Sequence, residues 1–316
     1  MRRLGLVLIL ALVAVLLLPP WLAGPLGWEP DPRHRPELGR SVVLADGRFL
    51  NVIEKGSGTP VILVHGLPSN ASELAPLGDA IAAAGPYRVI AYDRVGYGHS
   101  TREAAAEAPY TFESNARELA ALMDALGISQ AVLVGWSYGG GIVMRLAADA
   151  PERASHLVLI ASVGTDVDPG REHPLAERIL VSPVGEWAMN WVGSIPPLAD
   201  GLARQALAGA FAREEAIPDG WIEASRASLA MPGTLETWRL ETRRMDRTRL
   251  HPERIDTPAL VIQGADDYSV PYTTGEALHA ALPNSRFEPV LSGSHMIPVT
   301  HAETLAARLH ELVGAY

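Results

Sequence analysis

Gly135-Trp136-Ser137-Tyr138-Gly139 is the stretch with the clearest chemistry in this chain. A serine flanked two positions away by glycine on both sides can be held on a turn too sharp for side chains at those two flanking positions. Its hydroxyl is then presented outward instead of packing. The preceding run Ala131–Val134 is apolar and β-prone, and Ile142–Ala150 after the glycines has helical spacing. Strand, sharp turn and helix together make Ser137 a candidate nucleophile at the carboxyl end of a sheet, facing the free N–H groups of a helix N-terminus. The bland alternative is a glycine-rich helix start with a solvated serine.

A serine hydroxyl is a weak nucleophile near neutral pH and needs a base, which in turn needs an acid to orient it. Of the ten histidines, His295 stands apart. It lies in Ser292-Gly293-Ser294-His295, just after the last strand-like run, Arg286–Leu291. That is the edge where ligands meet a parallel sheet. His301 is the next candidate. For the acid, Gly264-Ala265-Asp266-Asp267 follows the preceding strand at the same edge, and Asp267 is favoured. Asp266 can instead cap the loop. Asp166 or Asp168, after the strand ending near Ala161, is the runner-up.

These side chains need a scaffold that brings distant loops together. Val42–Leu44 and Phe49–Ile53 flank Asp46-Gly47, a hairpin signal. Strand-like runs at 61–64, 87–92, 131–134, 156–160, 259–263 and 286–291 alternate with helical spacing at 73–84, 111–126, 142–150, 273–282 and 302–313. Such alternation predicts a mostly parallel eight-stranded α/β sheet flanked by helices. From residue 164 to residue 246 the rhythm breaks into proline-punctuated helical stretches holding Trp187, Trp191, Trp221 and Trp238. This predicts a helical cap inserted into a core of residues 41–163 and 247–316. The cap tryptophans are expected mainly to pack helices together, with one or two lining a pocket.

A 316-residue chain with a formal charge of −10 has no basic stripe to neutralise phosphates, which argues against nucleic acid. The absence of cysteine removes disulfides and thiolate chemistry. No histidine pair or carboxylate cluster has metal-ligand spacing, so no cofactor or metal is expected. Arg2 and Arg3 precede an apolar run, Leu4–Leu18, and no acid appears before Glu29. Residues 1–28 read as a membrane anchor or a cleaved signal segment, with the anchor preferred because no small-x-small cleavage site is evident. That predicts a membrane-anchored, extracytoplasmic (periplasmic) catalytic part, or a secreted one if the leader is cleaved. Residues 29–40, rich in proline and charge, read as a linker.

Five blocks carry a family resemblance: His65-Gly66-Leu67-Pro68, Asp93 to Ser100, the Ser137 elbow, Gly264 to Asp267, and Gly293-Ser294-His295. In this order they resemble the α/β-hydrolase superfamily, specifically its cap-bearing serine hydrolases. The resemblance implies a catalytic set of Ser137, Asp267 and His295, with backbone N–H groups of Leu67 and Tyr138 as the oxyanion hole. It also implies structural roles for His65 and for Asp93 to Ser100. Ser294 departs from the Gly-His common in the family. Serine at the elbow excludes the aspartate-nucleophile dehalogenases and epoxide hydrolases. The expected activity is hydrolysis of a carboxylic ester, with lipid or monoacylglycerol esters suggested by a membrane location. The alternatives are a carbon–carbon bond hydrolase of the dienoic-acid type, a haloperoxidase-like enzyme, and a receptor that binds without turnover. A dienoic acid needs a clamp for its carboxylate, and Arg145, Arg239, Arg243 and Arg244 are the conceivable sources.

Overall fold

The computed structural model describes residues 32–102, 110–164, 179, 182–193, 195–213, 216–245 and 250–314. Eight strands form one sheet: β1 (Arg40–Val43), β2 (Phe49–Gly56), β3 (Thr59–Val64), β4 (Tyr87–Tyr92), β5 (Ala131–Trp136), β6 (Ala154–Ile160), β7 (Ala259–Gly264) and β8 (Ser285–Val290). Their order is β1-β2-β4-β3-β5-β6-β7-β8. The pairs β1/β2 and β2/β4 are antiparallel and all later pairs are parallel. The expected mostly parallel sheet is therefore present. The hairpin at its edge turns through Gly47, whose φ of 88° is open to glycine without strain.

Strand β5 is buried at all six positions, as a central parallel strand covered on both faces must be. Alternating residues feed two apolar layers. Leu133, with Leu119, Leu122 and Ile142, faces one helix layer. Val132 and Val134, with Leu77, Ile81 and Leu309, face the other. The covering helices are α1 (Ala75–Ala84), α2 (Phe112–Ala125), α3 (Tyr138–Asp149), and the later helices α8 (Tyr272–Ala281), α9 (Ile297–Thr300) and α10 (Ala302–Gly314). Between β6 and β7 the described chain holds no strand but four α-helices, α4 (Pro183–Gly193), α5 (Pro196–Ala210), α6 (Trp221–Leu229) and α7 (Thr234–Met245), and a 3₁₀ turn at Pro252–Arg254.

One sequence expectation needs correction. A membrane span requires about 20 consecutive apolar residues. Among the described residues no helix is long and apolar enough to cross a membrane. The membrane-anchored, extracytoplasmic location is therefore withdrawn. Residues 1–28, on which that expectation fell, lie outside the described residues. The lipid-ester reading that leaned on this location is withdrawn with it. The described part of the segment expected as a linker makes defined local contacts. Pro32–His34 forms a 3₁₀ turn. Asn51 then holds the following segment, donating to Glu37 O and accepting from Gly39 N.

Candidate active site

The elbow begins with backbone geometry. Ser137 has φ 55° and ψ −120°, a conformation costly for a residue with a Cβ. It is held there by Ser137 N donating to Ile160 O (3.0 Å), while Gly140 N and Val163 N donate to Ser137 O. A side chain on Gly135 would run into the Gly139 carbonyl, and one on Gly139 into that of Val64. Helix α3 starts at Tyr138, four residues earlier than the apolar spacing suggests. Glycines 139–141 form its first turn because that turn presses directly on β3, Ser162 and the Phe112 ring. Serine at a helix N-cap normally bonds to the first turn, but Ser137 makes no such bond. Its hydroxyl is left for other work.

Asp267 and His295 come from the loops after β7 and β8. His295 Nδ1 donates to Asp267 Oδ2 at 2.9 Å. Gln263 Nε2 also donates to Oδ2, and the backbone N–H groups of Ser269 and Val270 donate to Oδ1. Four donors thus fix a fully buried carboxylate, and it fixes the imidazole. Trp136 Nε1 donates to the His295 carbonyl at 3.0 Å, which ties the histidine loop to the strand carrying the elbow. Asp266 is exposed and uses its N–H on Gly293 O. His301 bonds to Thr300. Asp166 and Asp168 lie outside the described residues.

Ser137, His295, Leu67 and Tyr138 line one cavity of about 380 Å³, within the size range of small-molecule sites. Its roof comes from α5 and α6 through Ala203, Leu207, Trp221 and Leu229, with Trp136, Val163 and Met296 completing the apolar wall. Trp221 packs edge-on against Phe211, and Trp187 against Trp191. Of the four cap tryptophans, only Trp221 is among the residues lining this cavity. None of Arg145, Arg239, Arg243 and Arg244 lines it, and Arg145 pairs with Asp149 one turn along α3. Among the described residues no group of three or more His, Asp or Glu side chains is placed to hold a metal ion.

Beneath the Leu67 loop lies a buried polar network. His65 Nδ1 bonds to Gly66 O, and its Nε2 accepts from Arg94 N. Burial and the Arg94 charge hold His65 well below the usual histidine range, so it is neutral and cannot act as a second base without a large cost. Arg94 donates to Gly66 O (2.9 Å) and to Glu241 Oε1 (2.6 Å), and lies over the rings of Tyr97 and Tyr138. Asp93 accepts from Asn51, Ala71 N and His99 N, which fixes the ends of that loop.

Five sequence blocks, one sheet order and one cavity converge on a single family, and the model for the alpha/beta hydrolase fold matches residues 59–302. The chain belongs to the α/β-hydrolase family. Among curated proteins this hydrolase is 30% identical over 285 residues to a 2-hydroxymuconate semialdehyde hydrolase of Pseudomonas putida, spanning 87% of this chain and 94% of that one. It is 32% identical over 267 residues to a putative non-heme chloroperoxidase of Synechocystis sp., spanning 78% and 88%. Among solved structures it overlays on an esterase from Exiguobacterium antarcticum with a TM-score of 0.68 at 20% identity, covering 87% of this chain and 99% of that one, a likeness of fold alone.

Two parts of the hydrolase's site were not read from sequence. Glu73, on the turn before α1, lines the cavity. Glu241 meets Arg94 with both side chains fully buried. An acid in a helical segment reads as a solvated face, and nothing in the spacing of Arg94 and Glu241, 147 positions apart, signals a partnership.

Proposed function

We propose that this chain is a serine hydrolase that opens its substrate at a carbonyl through an acyl-enzyme. The observation that carries the reading is the Asp267–His295 bond of 2.9 Å at a cavity shared with the strained Ser137. With Nδ1 engaged by Asp267, the ring's Nε2 is left to take the Ser137 proton as Oγ attacks the carbonyl carbon. The N–H groups of Leu67 and Tyr138 hold the oxyanion. The leaving group departs with the proton from His295, and water then releases the acyl group by the same path. The α4–α7 segment acts as a cap that shapes the acyl pocket.

Two substrate classes follow from different observations. The curated relatives favour carbon–carbon bond hydrolysis over the ester hydrolysis expected from sequence. A 2-hydroxymuconate semialdehyde has no ester or amide link, so a hydrolase of it must break a carbon–carbon bond. On that reading the leaving group is a carbanion stabilised by conjugation, and His295 supplies its proton. Carboxylic ester hydrolysis is the second reading, favoured by a cavity lining without lysine or arginine. The chloroperoxidase named above makes a haloperoxidase-like side activity worth assaying on the same protein.

The test is fluorophosphonate labelling of wild type and Ser137→Ala, followed by kcat/KM for a ring-opened 2-hydroxy-dienoic acid and for a ladder of p-nitrophenyl esters. Labelling confined to wild type, with turnover of either class, supports the hydrolase. Labelling that survives in Ser137→Ala rejects the nucleophile. Binding without turnover of either class supports the receptor alternative instead.

A further inference from the structure

The acyl cavity has one feature that neither the triad nor the oxyanion hole uses. Glu73 lines it alongside Leu67 and Pro68, on the turn that leads into α1. The carboxyl is held from behind: Ser69 Oγ donates to its Oε2 at 2.8 Å. Its Oε1 has no partner among the described residues. The same turn is tied to the roof, because Asn70 Nδ2 donates to Ser228 Oγ on α6 at 3.0 Å. Ser225 lies one turn earlier on that helix and, like Ser228, lines the cavity. Glu73, Ser225 and Ser228 therefore make a polar subsite in a mainly apolar chamber whose other polar lining residues include Ser137, Ser269 and His295.

A carboxylate half-buried against apolar walls with no cation beside it is costly. The charge that acts on Glu73 is that of Asp93, and it is of the same sign. Burial and Asp93 together push the Glu73 carboxyl up to about 7, so near neutral pH and below the group is substantially a neutral acid. A neutral carboxyl bonded through Oε2 can present an O–H donor from Oε1.

We infer that Glu73 is a specificity-determining residue whose carboxyl O–H donates to an oxygen on the part of the substrate remote from the scissile bond, in place of the arginine clamp that the sequence suggested. The inference rests on this cavity being the substrate site of the proposed hydrolase. The acceptor is an oxygen in either reading: the carboxylate of a dienoic acid, or a hydroxyl, ether or carbonyl in an ester chain. One net hydrogen bond corresponds to roughly 3- to 10-fold in affinity.

Binding is read on the Ser137→Ala background, where no turnover intrudes, from the fluorescence of Trp136 and Trp221, which line the cavity. The probes are methyl alkanoates over a ladder of chain lengths, ending in methyl, in methoxy or in carboxylate. At about pH 6 the oxygen-ended probe of matching length is expected to bind roughly 3- to 10-fold more tightly than its methyl-ended counterpart. The preference is expected to fade by about pH 8.5, as Glu73 ionises, with the carboxylate-ended probe losing most. Glu73→Gln, whose amide remains a neutral donor, is expected to keep the preference at both pH values, and Glu73→Leu to lose it at both. A preference for the carboxylate-ended probe over the methoxy-ended one points to the dienoic-acid reading, and the reverse to esters. Oxygen preference that persists in Glu73→Leu, or that is absent from the Ser137→Ala protein at about pH 6, overturns the inference. If Glu73→Leu fails to fold, a preference in the Glu73→Gln variant that still fades with pH overturns it equally. Failure of the hydrolase reading is seen separately, as loss of labelling and turnover in the protein with Ser137 intact.

Discussion

Ser137 carries two burdens that a single substitution cannot separate: its hydroxyl is the proposed nucleophile, and its backbone sits at positive φ. Comparing two inactive variants separates them. Ser137→Gly is expected to be more stable than Ser137→Ala by about 1 kcal/mol, because glycine relieves the strained conformation and alanine does not, less the extra chain entropy glycine loses. Matched urea melts give the difference, and equal stability would mean that the elbow stores no strain. At the proposed acid, Asp267→Asn keeps the volume but turns the partner of His295 Nδ1 into an amide. The imidazole is then free to adopt the wrong tautomer, and kcat is expected to fall by about 10⁴-fold. Asp266→Asn, on an exposed side chain, is expected to leave kcat nearly unchanged. The strand-end positions of Ser137, Asp267 and His295 were legible, because each follows a run read as a strand, although β8 is mixed in composition. Glu73 was not, since a glutamate on a turn looks solvated until the cap closes over it.

Helix α7 and the loop after β4 are joined by an ion pair with no access to water. Glu241 accepts from Arg94, Asn115 Nδ2 and Tyr97 OH, so both carboxylate oxygens are satisfied. Arg94 also reaches Gly66 O, one residue before the proposed oxyanion donor Leu67. Glu241→Ala leaves a buried guanidinium without its counter-charge and is expected to cost about 3–5 kcal/mol. Arg94→Met combined with Glu241→Leu removes both charges, and in urea titrations it is expected to recover part of that loss. Additive losses would show that the pair is not coupled. The period of each element was visible in the chain, as with Phe112, Leu119, Leu122 and Met123 along one face of α2. The start of α3 was not, because glycine carries no apolar signal and its place in the helix is dictated by what presses on it.

Across the whole molecule the titrating groups pull in opposite directions. Burial holds Glu73 and Glu118 up to about 7, so the folded state keeps their protons after the unfolded chain has released them near 4.5. Their contribution is therefore complete at low pH and is lost as pH rises from about 4.5 through about 7. His65, His156 and His301 are held below 6.5, and their contribution runs the other way, lost as pH falls through that value. A difference measurement isolates the acids. Relative to Glu118→Gln, the wild type is expected to lose stability steadily between about pH 4.5 and 7, read from denaturant midpoints. A flat difference would place the Glu118 carboxyl in an ordinary environment. By itself the chain determined a doubly covered parallel sheet and the loops at its carboxyl edge, because strand burial and turn chemistry are local properties written in residue type and spacing. Only the tertiary structure decided which acid meets His295, which cap helices roof the cavity, and that Arg94 finds Glu241. Those pairings join segments that share no local pattern, and they form only once the sheet has set their strands side by side.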